Sequence, residues 1–369
     1  MTGRSGRWLL FALVTAACVT SPSTDVRFQA VSAGGAHSCA LDAEGAAWCW
    51  GANGSGQLGI STRHREHPTP VAVAGGLRFH TISAGARHTC SIDVDGYGWC
   101  WGSNDVGQLG DGSWKERSEP TRIRLDRRLS NIAAGIAHSC ATDDTGRVWC
   151  WGGNDSGQLG ANGGDGTNFP VHVSGVPVAS GVALGSRHSC ALGPAGAFCW
   201  GSNDFGQLGA ATLGSTALPV RVSSASLLRT VTAGASHSCG MTTTGEVACW
   251  GDNRRGQLAL LAKDEAGTAT PISIAAVVAS VSASASGDMT CAADSGRVWC
   301  WGMTPDARLG PVRTVPTAVA GLTGGITAIS TGGRHACAVA AGKVACWGAG
   351  ESGQLGDGRR VRSSTPVGP

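Results

Sequence analysis

Fifteen cysteines and ten histidines have the widest chemical reach in this chain of 369 residues. Fourteen of the cysteines fall into seven pairs. Ten positions separate Cys39 from Cys49, Cys90 from Cys100, Cys140 from Cys150, and Cys239 from Cys249. Nine separate Cys190 from Cys199, Cys291 from Cys300, and Cys337 from Cys346. A catalytic thiol is normally unique, so a sevenfold pattern argues for structure. Opposed on adjacent strands, such pairs are bridgeable, and an exported setting favours the bridge. The expectation is seven disulfides, one inside each repeat. A metal site in each repeat would need a fourth ligand beyond His-x-Cys and Cys, and none recurs. No cofactor is expected.

His37, His88, His138, His188, His237 and His335 each stand two positions before the first cysteine of a pair, and Met289 takes that place in the sixth. Six equivalent histidines suit a structural bond to neighbouring backbone that holds repeats together, not an active site. Gly-Gln-Leu-Gly recurs at 56–59, 107–110, 157–160, 206–209 and 353–356, as Gly256-Gln257-Leu258-Ala259, and as Ala307-Arg308-Leu309-Gly310. It lacks the Lys-Ser/Thr ending of a phosphate loop. Its Leu reads as core and its glycines as turn formers. One Trp beyond the N-terminal segment stands outside the repeated phrase: Trp114, with Lys115, Glu116 and Arg117 after it. An aromatic beside basic groups has the composition of an interface anchor, so Trp114, Lys115 and Arg117 are the candidate partner-binding residues.

These residues are positioned by a repeat. Cys-Trp-Gly occurs seven times, with Trp at 50, 101, 151, 200, 250, 301 and 347. One unit of this length cannot bury its own apolar face, so stacked neighbours must build the core. Ten-residue cysteine spacing leaves a three-residue hairpin loop ending in Gly45, Gly96, Gly146 or Gly245, where a left-handed residue is required. Nine-residue spacing leaves two-residue loops such as Ser295-Gly296 and Ala341-Gly342. Alternation then puts Trp149 and Trp151 on the sheet face opposite Cys150. A strand before each hairpin (77–82, 129–133) and another near Pro70-Val71, Pro170-Val171 or Pro219-Val220 make four strands per unit. Seven such units describe an all-β, seven-bladed β-propeller over 26–369. Counted from Val26, the first repeat lacks a Pro-Val strand, so Pro366-Val367 is expected to complete the first blade and close the ring by pairing N- and C-terminal segments.

Arg4 and Arg7 precede an apolar run, Trp8–Leu13, which continues to Ala16-Ala17-Cys18. That is the pattern of an export signal over 1–17, too short to span a bilayer. Ala16-Ala17-Cys18 resembles the lipobox of bacterial lipoproteins, with Thr15 departing from the usual Leu. It implies a lipidated Cys18 and a polar tether over 18–25. Removing Arg4 and Arg7 from 28 basic residues leaves 26 against 25 acidic, or +1. No basic field exists to attract nucleic acid or a membrane, so membrane contact is expected only through the lipid.

From Val26 to Pro366 the phrases Ala-Gly before His, Trp-Gly and Gly-Gln-Leu-Gly resemble the regulator of chromosome condensation repeat family, whose members are seven-bladed propellers. The family spans exchange factors, a photoreceptor, enzyme inhibitors and scaffolds, so fold does not fix function. Nucleotide exchange needs a GTPase that an exported chain would not meet. The plant UV-B photoreceptor places Trp just before the repeated His; here Ala36, Arg87, Ala137, Arg187, Ser236 and Arg334 stand there. The expectation is a monomeric, non-catalytic, extracytoplasmic scaffold of the cell envelope that binds a protein through its inter-strand loops. The alternatives are a secreted enzyme inhibitor, or a wall-glycan binder or enzyme using the propeller mouth.

Overall fold

The computed structural model describes residues 26–369 apart from 63, 162–163, 211–213, 225, 261–265, 273, 275–276, 304–312 and 323. The expected signal (1–17), Cys18 and the tether therefore lie outside the described residues, as does Ala307-Arg308-Leu309-Gly310. In the first blade β1 (Phe28–Ala33), β2 (His37–Asp42), β3 (Ala47–Ala52) and β4 (Glu66–Ala72) pair in sequence order. Six more antiparallel four-stranded sheets of the same order follow, and the seventh ends on Ser363–Val367. The protein is an all-β, seven-bladed propeller.

The cysteines fix the register. Across the hairpins with three-residue loops, Cys39 faces Cys49, Cys90 faces Cys100, Cys140 faces Cys150, and Cys239 faces Cys249. Across those with two-residue loops, Cys190 faces Cys199, Cys291 faces Cys300, and Cys337 faces Cys346. All seven pairs are bridged as expected, with Cα atoms 4.0–4.1 Å apart. Gly45 closes its three-residue loop at φ 81°, and Ala341-Gly342 forms a two-residue turn with both residues at positive φ, the geometry that matches strand twist. Each core cluster is shared between neighbours. Trp101 of blade two packs with Leu41, Leu58 and Val71 of blade one, and Trp151 of blade three with Ile92 and Leu109 of blade two.

Ring closure differs from the sequence expectation. Val71 of β4 pairs with Cys49, so the first blade already owns its Pro-Val strand, while Val367 pairs with Cys346 in the last blade. Among the described residues no sheet joins the two ends of the chain. The ring closes face to face instead: Phe28, Val31 and Trp50 share a core with Val339, Val344 and Leu355. The Phe28 amide donates to the Gly342 carbonyl at 2.8 Å. The sequence is periodic and does not mark where one blade ends; packing sets that phase.

Because every sheet is an antiparallel meander, one end of the ring collects the turns after each inner strand and the long loops before each outer strand. The other end collects the tight hairpins and the connections between blades. We call these the loop face and the hairpin face. Phe28 starts, and Val367 ends, on the hairpin face.

Candidate partner-binding site on the loop face

The repeated polar residues assemble at the seams. His88 Nε2 lies 2.9 Å from Ser139 Oγ of the next blade, and that hydroxyl donates to the Gln108 carbonyl at 2.8 Å. Trp151 Nε1 donates to the same carbonyl at 2.9 Å. The serine has one proton and gives it to Gln108, so His88 must donate from Nε2. The same clamp joins His37 to Thr89, His138 to Ser189, His188 to Ser238, His237 to Thr290 and His335 to Ser38. The histidines thus bond a neighbouring hydroxyl, which relays to backbone, and not the backbone directly as expected. Burial pushes His37, His138 and His188 down to about 3, and His88, His237 and His335 to about 4. Neutral and enclosed, these rings hold blades together.

The Gly-Gln-Leu-Gly phrase serves the same seam. Leu58 is fully buried, and Gly59 (φ 71°) approaches the next blade so closely that a Cβ would sit 2.8 Å from Trp101 Nε1. Asn53, Asn104 and Asn154 had no role assigned from sequence. Each accepts the leucine amide of its own loop through Oδ1, at 3.0–3.1 Å. Their signal was present as an Asn five positions before each Leu.

Those braces present one loop rigidly. Asn104 Nδ2 donates to the carbonyls of Ser113 (2.9 Å) and Lys115 (3.1 Å). Asp111 accepts from the Ser113 amide and hydroxyl and from Arg117 Nε. Burial raises the Asp111 carboxyl, but those bonds and the guanidinium carry it below its usual range. Gly112 N ties the arch to the Asn168 carbonyl of blade three at 2.9 Å. Arg117 is therefore engaged by Asp111, and Trp114 and Lys115 point outward. Trp114 is 54 % exposed, and across a groove of about 290 Å³ stands Phe169, 52 % exposed, with Leu159 and Val171 also lining the groove. Sequence reasoning missed Phe169. The position before Pro in each outer strand holds Thr69, Glu119, Phe169, Leu218, Thr270, Val315 and Thr365, and only at Phe169 is it aromatic.

The channel mouth has a different character. Ser32, Ser83, Ala133, Ala183, Thr232, Ser282 and Ser330 lie around a cavity of about 140 Å³. Ser32, Ser83, Thr232, Ser282 and Ser330 accept the backbone amide of the next inner strand through their hydroxyls.

A family model described as an RCC1-like domain matches residues 12–314, more than half of the chain. The chain belongs to the RCC1-like family. Among solved structures, human WBSCR16 superposes with a TM-score of 0.80 at 21% identity, covering 88% of this chain and 93% of that one. Prp20p of Saccharomyces cerevisiae gives 0.73 at 22% identity, over 83% and 80%. At these identities the likeness shows the fold. The Arabidopsis thaliana ultraviolet-B receptor UVR8 is 36% identical over 101 residues, 27% of this chain and 22% of the receptor. Human HERC3, a probable E3 ubiquitin-protein ligase, is 39% identical over 94 residues, 25% of this chain and 9% of that protein. The chain therefore matches less than a quarter of either protein.

Proposed function

We propose that this protein is a non-catalytic, extracytoplasmic scaffold that binds a protein partner through the groove between Trp114 and Phe169. The observation that carries the reading is the exposure of Trp114, on a braced loop, across one groove from the exposed Phe169. Rigid aromatic anchors contribute contact area at low entropic cost. Lys115 adds an outward charge at the rim. Relatives of the same fold engage proteins: Prp20 is bound by Kap60, and its binding to Gsp1p and histones has been studied. Seven buried disulfides suit an oxidising compartment. In this reading Cys18 is the lipidated first residue of the mature chain, 18–25 is a tether, and the propeller works as a monomer. The mass of the mature N-terminus tests the lipid, since an unmodified terminus removes it.

The groove is tested by quantitative capture from envelope extract with wild type, Trp114→Ala, Phe169→Ala and Val315→Ala, an exposed outer-strand control on blade six. One defined partner should lose about tenfold in retention with either groove variant, about 1.4 kcal/mol, and none with the control. All three melting temperatures should stay near wild type, because exposed side chains contribute within about 0.5 kcal/mol. Equal retention by all four proteins rejects the site.

A further inference from the structure

One residue of the connection into each inner strand, directly before the strand in five blades and three positions before it at Val178 and Val277, faces the neighbouring hairpins. Arg27 approaches Gly342, Arg78 approaches Gly45, Arg128 approaches Gly96, Val178 approaches Gly146 and Val277 approaches Gly245. Leu227 holds the same place, its carbonyl accepting the Thr243 amide of its own blade's hairpin, as the Arg27 carbonyl accepts that of Ala43. In ring order this position is Arg, Arg, Arg, Val, Leu, Val and Gly325. Val178, Leu227 and Val277 are 64 %, 64 % and 73 % exposed. The hairpin face is thus divided, with an arginine-bearing arc on blades one to three, its charge offset by acidic hairpin tips, and an aliphatic arc on blades four to six. Hairpin tips follow the division in charge only, since Val94 at the blade-two tip is aliphatic and 66 % exposed. Glu44, Asp95 and Asp144 accompany the arginines, whereas Pro194-Ala195, Thr243-Thr244 and Ser295-Gly296 are uncharged.

The chain also enters on this face. Val26 leads directly into Phe28, whose amide bonds the Gly342 hairpin. The segment between Cys18 and Val26 spans at most about 30 Å when fully extended. Anything that holds Cys18 at a bilayer therefore keeps the chain's entry point on the hairpin face within about 30 Å of it. Aliphatic side chains with arginines beside them are the composition of a peripheral contact, in which apolar groups enter the headgroup boundary and guanidiniums meet phosphates.

We propose that the hairpin face rests on a phospholipid surface, with Val178, Leu227 and Val277 in the interface and Arg27, Arg78 and Arg128 against lipid phosphates. The direction of approach rests on the tether reading, and the contact itself does not need the lipid on Cys18. The test uses the full chain carrying Cys18→Ala, sedimented with phosphatidylglycerol/phosphatidylethanolamine vesicles and, separately, with phosphatidylcholine vesicles. Binding should be weak but measurable, and stronger on the anionic vesicles. Combining Val178→Asp, Leu227→Asp and Val277→Asp should lower it about fivefold, since each exposed side chain contributes only part of the buried apolar area. Combining Arg27→Gln, Arg78→Gln and Arg128→Gln should remove the preference for anionic lipid. Unchanged melting temperatures confirm that both triple variants fold. Absence of vesicle binding, or binding indifferent to the aspartates, overturns the proposal. So does a dimer in sedimentation equilibrium that the aspartates dissolve without any vesicle binding, because the arc then belongs to a second copy. Because Cys18→Ala removes the tether from this experiment, failure of the lipid reading shows in the N-terminal mass and failure of the surface shows here.

Discussion

At the seam between blades two and three, His88 donates to Ser139, and Ser139 and Trp151 both donate to the Gln108 carbonyl. At the seam between blades six and seven the same two places hold Met289 and Ala336. Met289 faces Gly302 as His88 faces Gly102, and Ala336 faces Trp347 as Ser139 faces Trp151. Both are buried in one apolar cluster with Val298 and Trp347. The polar pair has been replaced as a pair. Removing one partner alone would leave a buried imidazole or hydroxyl unsatisfied at a cost of about 1–3 kcal/mol, whereas replacing both by apolar groups of similar shape is close to neutral. The difference teaches that the clamp specifies how blades meet more than it is required for them to meet.

Acid should separate the two seam types most strongly. Six histidines are held neutral in the fold with values pushed down to about 3 to 4 by burial, while the unfolded chain takes up protons near pH 6.5. Stability is therefore full above about pH 6.5 and falls as pH drops toward the folded values. Calorimetry between pH 7 and pH 4 should show a steep loss of melting temperature. Hydrogen exchange should show the six clamped seams opening before the Met289 seam, and a flat profile contradicts the assignment.

Disulfide removal should not distinguish the seams, because each bridge lies inside a blade. Cys140→Ala with Cys150→Ala, and Cys291→Ala with Cys300→Ala, should each cost about 2–3 kcal/mol by denaturant titration, the scale for a closed loop of this length. Non-reducing peptide mapping should return only within-blade pairs, and a bridge between blades would break the register described above.

Ser139→Ala should cost about 1–3 kcal/mol, because it strands the His88 Nε2–H. Adding His88→Met to it converts this seam to the blade six/seven type and should recover part of that loss. A double variant costing as much as the two single variants summed would mean that the two positions do not couple.

The fold was legible because cysteine spacing pins hairpin register and because the glycines fall where the turns need them. Blade phase was not. Pro70-Val71 and Pro366-Val367 look alike in a periodic sequence, and only the pairing of Val71 with Cys49 and of Val367 with Cys346 assigns them. The histidine bond was hidden because its partner lies about fifty residues away. Even so, a single sequence held the clue, since the repeat that loses His at Met289 is followed by the one that loses Ser at Ala336. Trp114 was legible as an outlier from the repeat. Phe169 was not, because its neighbours in an outer strand give no sign of which side chain meets a loop from the preceding blade.

The way the ring closes has a further consequence. Among the described residues, no strand is borrowed across the first and last blades, and no disulfide crosses a seam. The described residues begin and end on the hairpin face, with the Phe28 amide already bonded to the last blade's hairpin. The starting blade is thus a matter of genetic punctuation. A circular permutant that joins 369 to 26 through a short linker and opens at the 74–78 connection would keep every sheet and every bridge intact. Joined from 369 to 26 and cut at two such connections, the chain would become two covalently independent arcs, held as one ring by their seams alone.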